Sequence, residues 1–464
     1  MIIYNLLKIK KPISGITRAT AVIRAFLIFL LLLVSLSSYS QVQRFPKPEF
    51  ESGYTQPAPE TPEPRADYMA WIDVSVLIVV MSLAAWFLLK KRSRKGIMWL
   101  SIFSLIYFGF LREGCVCSVG SIQNITLTLF NPAYAVSIPI LLFFLLPLIF
   151  SLIFGRVFCA SACPLGVIQD LVIIKPISIP VWLRKALGLI PYIYLGLAIL
   201  LAATGSEFII CRYDPFIGIF RRNAEFIMII LGIAFLLMGL FVARPYCRFF
   251  CPYGVLLGWT SRFSKYHMSI TPDKCISCKL CQDSCPFDAI DKPSEELKSS
   301  EKEYNKKRFT IFTLLIPFWI VIGGFTMSLA HNFLSKAHPD VYLAELMIKH
   351  PELKNDKDNI DIQTFLSSEK TIEKLAEEVK IIKRKYLTGS WIFGGFLGLV
   401  IGIMLSNQYV VRKQEDYLPN RTNCFSCGRC MNNCPIKDLS KEKLNVNKAQ
   451  TNRHSGDTKD IKVY

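Results

Sequence analysis

The sequence predicts a mainly α fold, a polytopic transmembrane bundle of seven to eight helices, and three observations carry that expectation. Of the 464 residues, 52% are hydrophobic, and the mean hydropathy is +0.37, more apolar than is usual for a soluble chain. The apolar residues gather in blocks of roughly 17–25, the length that spans a bilayer. Polar stretches rich in Pro, Lys or Cys separate the blocks.

Residues 1–41 open with Lys8, Lys10, Lys11, Arg18 and Arg24, then run apolar from Ala25 to Leu36. They read as a signal peptide or as a first transmembrane helix, with cleavage near Gln41 slightly favoured. Residues 42–69 are a periplasmic linker, rich in Pro and Glu and extended. Seven further apolar helices are expected at 70–89, 97–111, 132–154, 186–204, 224–243, 309–330 and 389–408. Residues 70–260 make one membrane domain. Residues 261–308 and 409–440 are two halves of a polar module, and the span 309–330, a loop at 331–388 and the span 389–408 lie between them. A polar tail follows at 441–464.

Orientation follows from Lys and Arg in short loops, which stay in the cytoplasm. The loop 90–96, KKRSRKG, carries five positive charges. Counting crossings from it puts 112–131, 205–223 and 331–388 outside, and both halves of the polar module and the C-terminus inside. The loop 331–388 balances ten basic against ten acidic residues. Its stretch 369–386 has Ile372, Leu375, Val379 and Ile382 at helical spacing and reads as one amphipathic helix. The net charge of +19 is assigned to these loops. No helix-turn-helix or zinc-finger pattern accompanies it, so nucleic acid is not an expected partner.

The cysteines carry the chemistry. There are fifteen. Cys275, Cys278, Cys281 and Cys285, followed by Pro286, form one C-x2-C-x2-C-x3-C-P run. Cys424, Cys427, Cys430 and Cys434, followed by Pro435, form a second. This is the bacterial ferredoxin pattern for [4Fe–4S] clusters. Three closely spaced thiolates wrap one cluster, and in two-cluster ferredoxins the fourth Cys binds the other cluster. Applied here, one cluster takes Cys275, Cys278, Cys281 and Cys434, and the other takes Cys424, Cys427, Cys430 and Cys285. The bundle therefore carries a small cytoplasmic two-cluster ferredoxin module. Zinc also uses C-x2-C pairs, but seldom in three steps ending in Cys-Pro, twice in one chain.

A second pattern repeats inside the membrane domain. GRVFCASACPLGVIQD (155–170) parallels ARPYCRFFCPYGVLLGW (243–259). Each reads Arg, one residue, aromatic, Cys, three residues, Cys-Pro, one residue, Gly-Val, the mark of a duplicated unit. Cys159, Cys163, Cys247 and Cys251 are expected near the cytoplasmic surface. They are candidates for a third metal or redox centre, the alternative being helix packing.

Paired C-x3-C-P motifs followed by ferredoxin runs resemble the membrane polyferredoxins of the NosR/NapH type, over residues 70–437. REGCVCSVGSIQN (112–124) and the DPF of CRYDPF (211–216) look closer to the nitrous oxide reductase-associated branch. The resemblance implies electron transfer between the quinol pool and a periplasmic reductase for nitrous oxide or nitrate, or support of reductase maturation, in a bacterial inner membrane. That branch carries a periplasmic flavin domain. Residues 41–69 are too short for one, so no flavin is expected.

Cys115, Cys117 and Cys211 remain, at the outer ends of helices. Three readings stay open: a soft-metal site such as Cu(I), a redox relay or disulfide in an oxidising compartment, and packing. The hydrocarbon core is roughly 30 Å thick, too far for one electron hop, so a transmembrane path needs an intermediate carrier. None of the five histidines falls inside a predicted span, and no haem is expected. Arg112, Glu113, Arg221 and Arg222 border the outer surface, where a quinone or partner site competes with interfacial anchoring. No catalytic triad or phosphate loop is present. The leading expectation is an electron-transfer subunit rather than a stand-alone enzyme. The alternative is a maturation or regulatory factor for a copper-containing respiratory enzyme.

Overall fold

A computed structural model describes residues 66–114, 117–221, 226–270, 275–294, 299–349, 362, 365, 371–410 and 414–438. The expected signal peptide or first helix at 1–41, most of the linker, Cys115, Arg222 and the tail from 439 lie outside the described residues.

Helix α1 (Asp67–Leu89) is apolar on every side. Leu77, Met81 and Leu88 face the protein, whereas Trp71, Val79 and Trp86 are exposed, as lipid-facing positions of a spanning helix are. Its one buried charge, Asp73, accepts from the Tyr107 hydroxyl at 2.9 Å and pairs with Arg112 at 2.7 Å. Arg112 is thus tied into the bundle. Helix α2 (Arg94–Ser104) begins at Ser93, whose side chain accepts from the Gly96 amide, and runs on as a π-helical turn, Leu105–Leu111.

Helices α3 (Ser121–Phe130), α4 (Ile138–Phe154), α5 (Pro164–Leu171), α6 (Ile190–Ala203), α7 (Phe226–Gly239) and α8 (Pro252–Arg262) complete the duplicated domain. Helices α9 (Ile316–Leu329) and α10 (Ile372–Ser406) form the closing pair. Four segments are long and apolar enough to cross a membrane: Asp67–Leu89, Arg94–Leu111, Val181–Ala203 and Ile372–Tyr409. The pair Glu303–Leu314 and Ile316–Leu329, bent by 40°, makes a fifth. The stretches 132–154 and 224–243 hold helices of 17 and 14 residues. At about 1.5 Å per residue these reach only about 25 and 21 Å. Each stops just before a C-x3-C-P segment, so those thiols sit inside the bundle rather than beyond a full span. Gly155, at φ 76°, ends α4, and a side chain there would strike His267.

The separate amphipathic helix expected at 369–386 is instead the first half of α10, which continues unbroken for 35 residues. At about 52 Å it exceeds the bilayer, so one half stands clear of it. Leu375 packs there with Ala344, Met347, Ile362 and Phe365. Lower down, α10 lies directly on α9. A Cβ at Gly394 would run into the Gly323 carbonyl, and one at Gly398 into that of Trp319.

The two polar halves meet. Strand β1 (Ile290–Asp291) pairs antiparallel with β2 (Leu418–Pro419), Ile290 opposite Pro419, and the Asn420 amide donates to the Asp291 carboxylate at 3.0 Å. The basic loop 90–96 grips this module. Arg92 donates to the Ile270 carbonyl at 2.7 Å and Arg94 to the Cys427 carbonyl at 2.8 Å.

Candidate iron–sulfur and thiol sites

Both ferredoxin runs adopt the same strained loop. Ser277 and Ser426 are left-handed at φ 54° and 52°, and so are Lys279 and Gly428 at 63° and 72°. Three of these four are not glycine, so the conformation costs energy and marks a functional constraint. Its effect is to turn backbone N–H groups toward sulfur. Ser277 N–H donates to Cys275 Sγ and Ser426 N–H to Cys424 Sγ, each at 3.4 Å. Such bonds stabilise thiolate ligands and tune a cluster.

Chain crossing decides which thiols meet. Cys275, Cys278 and Cys281 line one small cavity together with Cys434, from the other run. Cys424, Cys427 and Cys430 lie within electrostatic reach of Cys285, again from the other run. Burial pushes the Cys424 thiol up to about 12, and the neighbouring Cys427 and Cys285 add to it. Thiols held this close ionise together only around compensating positive charge. Three thiols of one run joined by the last thiol of the other are the donor set of a bacterial two-cluster [4Fe–4S] ferredoxin.

The duplicated unit is interlocked. Arg156 of the first repeat lies over Gly254 of the second, its Nη2 3.2 Å from where a Cβ would stand. Arg244 of the second repeat lies over Gly166 of the first at the same 3.2 Å. The Arg and Gly of the shared pattern are therefore partners across the repeats. Arg244 donates to the Cys159 carbonyl at 2.6 Å and pairs with Asp170, which also receives Arg429 at 3.0 Å. Burial alone would raise the Asp170 carboxyl, but Arg244, Arg429 and Arg94 together hold it below the ordinary value. Both arginines also stack on Phe425, at 4.5 and 5.5 Å, and Phe425 meets Phe287 at 4.9 Å. Cys163 and Cys247 are close neighbours of Cys159 and Cys251. Gln169, which the cysteine spacing does not reveal, donates to Cys247 Sγ at 3.3 Å and accepts from the Tyr246 amide at 3.0 Å.

The outer cysteines lie deeper than expected. Cys117 and Cys163 line one small cavity, although the sequence places them at opposite faces of the membrane. The reason is that α4 is short and residues 117–130 turn back into the bundle, with Val119 and Ile122 in the core and the Gln123 side chain accepting from the Ile210 amide. Cys211 is exposed and adjoins Cys117 near Gly120. Beside them Asp214 is 2% exposed, with Oδ1 accepting from the Phe216 and Ile217 amides. Both cysteines are free thiols.

Fold and site together define a class, a helical membrane protein with iron–sulfur-binding domains. Family models described as 4Fe-4S binding domains match residues 136–190 with 225–270, residues 268–291 and residues 421–446. These matches and the relatives that follow support the resemblance to the NosR/NapH-type membrane polyferredoxins. The chain is 29% identical to an uncharacterized protein of Methanocaldococcus jannaschii over 42% of this chain and 82% of that protein. It is 26% identical to the putative electron transport protein YccM of Escherichia coli, over 30% and 43%. It is also 26% identical to the regulatory protein NosR of Pseudomonas aeruginosa, over 47% and 32%. The chain thus spans less than half the length of the last two. No solved structure matches.

Proposed function

We propose that the protein conducts electrons through a bacterial inner membrane, between the quinol pool or cytoplasmic donors and a periplasmic reductase of the kind that handles nitrous oxide or nitrate. Two [4Fe–4S] clusters, held by Cys275, Cys278, Cys281 and Cys434 and by Cys424, Cys427, Cys430 and Cys285, would supply one-electron chemistry at the cytoplasmic end. The observation that carries the reading is a series of thiol sites without a long gap. Phe425 lines a cavity shared with Cys247 and Cys251. Those thiols adjoin Cys159 and Cys163. Cys163 shares a cavity with Cys117, and Cys117 adjoins exposed Cys211. A path across a core of roughly 30 Å needs such intermediate sites. The four C-x3-C-P thiols are assigned to a third redox or metal centre on the same ground. The relative named a putative electron transport protein supports the reading. An apolar cavity of about 730 Å³ between α6 and α10, lined by Trp259, Phe393 and Phe396 with Arg384 and Lys385, has the size and character for a lipoquinol. Seven to eight spans, with the ferredoxin module and C-terminus cytoplasmic, belong to this proposal.

The test begins with iron and acid-labile sulfide per chain and low-temperature EPR of the dithionite-reduced protein. About eight of each, with two interacting [4Fe–4S] signals, supports the assignment. Little iron with bound zinc overturns it. Vesicles reduced on the ferredoxin side should then pass electrons to an impermeant acceptor outside, and failure to do so with full clusters removes the transmembrane claim alone.

A second reading, maturation of a copper-containing respiratory enzyme, is favoured by one feature. Cys211 is exposed beside Cys117, where a thiol pair could meet copper from outside. Copper retained by the wild type and lost in Cys211→Ser, without vesicle electron transfer, would select it.

A further inference from the structure

The two repeats align residue for residue, and they differ where charge is concerned. Asp170 of the first repeat corresponds to Gly258 of the second, and Ala160 of the first to Arg248 of the second. Arg244 reaches across to Asp170 and is neutralised there. Arg156, its counterpart, reaches across to Gly254, and with glycine at 258 the second repeat supplies it no matching carboxylate. It is 6% exposed, donates through Nη1 to the Thr422 carbonyl at 3.1 Å, and leaves Nε without a partner among the described residues. Instead of a carboxylate there is a cavity of about 380 Å³, lined by Arg156, Arg248, Arg184 and Lys185. Arg248, with a side chain 9% exposed, pairs with Asp288 at 3.1 Å, yet its Nη1 is also buried without a partner. The two carboxylates that reach this cavity are already engaged. Asp288 is shared between Arg248 and Arg184, and Asp291 takes the Asn420 amide. On the first-repeat side, the space around Asp170 is only about 30 Å³.

We propose that this cavity binds a phosphate oxyanion between Arg156 and Arg248, supplying the negative charge that Asp170 supplies in the other half of the molecule. Unpaired buried guanidinium N–H groups are costly, and guanidinium forks match phosphate oxygens. Arg184 and Lys185, near the start of the candidate span Val181–Ala203, and Met404, near the end of α10, mark helix ends on the side of the ferredoxin module. A basic pocket between helix ends at that depth suits the headgroup of an anionic phospholipid, which is the source the position favours. Free phosphate shares the chemistry.

The test uses the full chain, purified anaerobically and stripped of lipid in mild detergent. Phosphatidylglycerol, phosphatidylcholine and inorganic phosphate are titrated separately, with bound molecules counted by native mass spectrometry and the unfolding midpoint followed in parallel. One phosphatidylglycerol should be retained per chain, on the order of tenfold more tightly than phosphatidylcholine. Arg156→Gln and Arg248→Gln should each erase that preference. Arg248→Gln leaves the Arg156 contact to Thr422 in place, and unchanged iron content shows that the variant is folded. A midpoint raised equally by inorganic phosphate supports the site and makes a soluble anion its source. Equal binding of both lipids with no phosphate effect overturns the proposal, as does selective binding that survives both substitutions.

Discussion

Single residues show where this fold has no slack. Gly155 must be glycine for two independent reasons, a left-handed φ of 76° and the His267 ring where a Cβ would stand. Gly155→Ala should destabilise the protein by about 1–3 kcal/mol or more, read as a lower unfolding midpoint and faster iron loss in detergent. His267 itself gives a pH dependence. Burial, aided by Arg421, lowers its pKa to about 4, against about 6.5 for an unfolded histidine. The folded protein keeps the ring neutral while the unfolded chain takes up a proton, so stability declines as pH falls from about 6.5 to about 4 and this contribution is flat above that window. His267→Asn should remove the decline, and an unchanged midpoint-versus-pH curve would refute the assignment. Asp170 carries more. It neutralises Arg244, which is only 1% exposed, and removing one partner of a buried pair costs about 3–5 kcal/mol. Asp170→Asn should lower the midpoint well beyond Asp288→Asn, whose arginines are more exposed. The two cysteine runs were legible from spacing alone, and the structure brings them together. His267, Gln169 and Asp170 were not, because their roles depend on partners roughly 80 or more residues away in sequence or on packing no local pattern records.

Elements were read from hydropathy, and hydropathy reports composition better than boundaries. All seven apolar stretches contain helix, but it could not show that α4 and α7 stop short to admit the C-x3-C-P segments. Nor could it show that α10 joins a soluble half to a membrane half, since the helical period simply continues from Ile372 into the apolar run. One signal was available and unused: Gly394, Gly398 and Gly402 recur every fourth residue, the spacing that lets membrane helices approach closely. All three face α9, against Gly323, Trp319 and Ile316. Gly398→Leu should therefore force α9 and α10 apart. Because α9 leaves the first ferredoxin half and α10 returns to the second, the damage should appear far from the substitution, as loss of iron from the ferredoxin module. Gly395→Ala, where a Cβ would stand 3.5 Å from the Ile320 side chain in ordinary contact, should leave iron content near wild type.

At the scale of the whole molecule, the two ferredoxin runs are separated by two membrane helices and a charged loop, yet the last cysteine of each stands beside the first three of the other. The proposed cross-ligation makes assembly of the module conditional on correct insertion of α9 and α10. Cys434→Ser should then abolish the EPR signal of the site built on Cys275, Cys278 and Cys281, while the site built on Cys424, Cys427 and Cys430 persists with an altered signal from its lost neighbour. Cys285→Ser should do the reverse. If each run instead served its own site, Cys434→Ser would spare the first set and damage the second. Quantifying the two reduced signals in the two single variants distinguishes these arrangements, since each predicts the opposite pairing of substitution with loss.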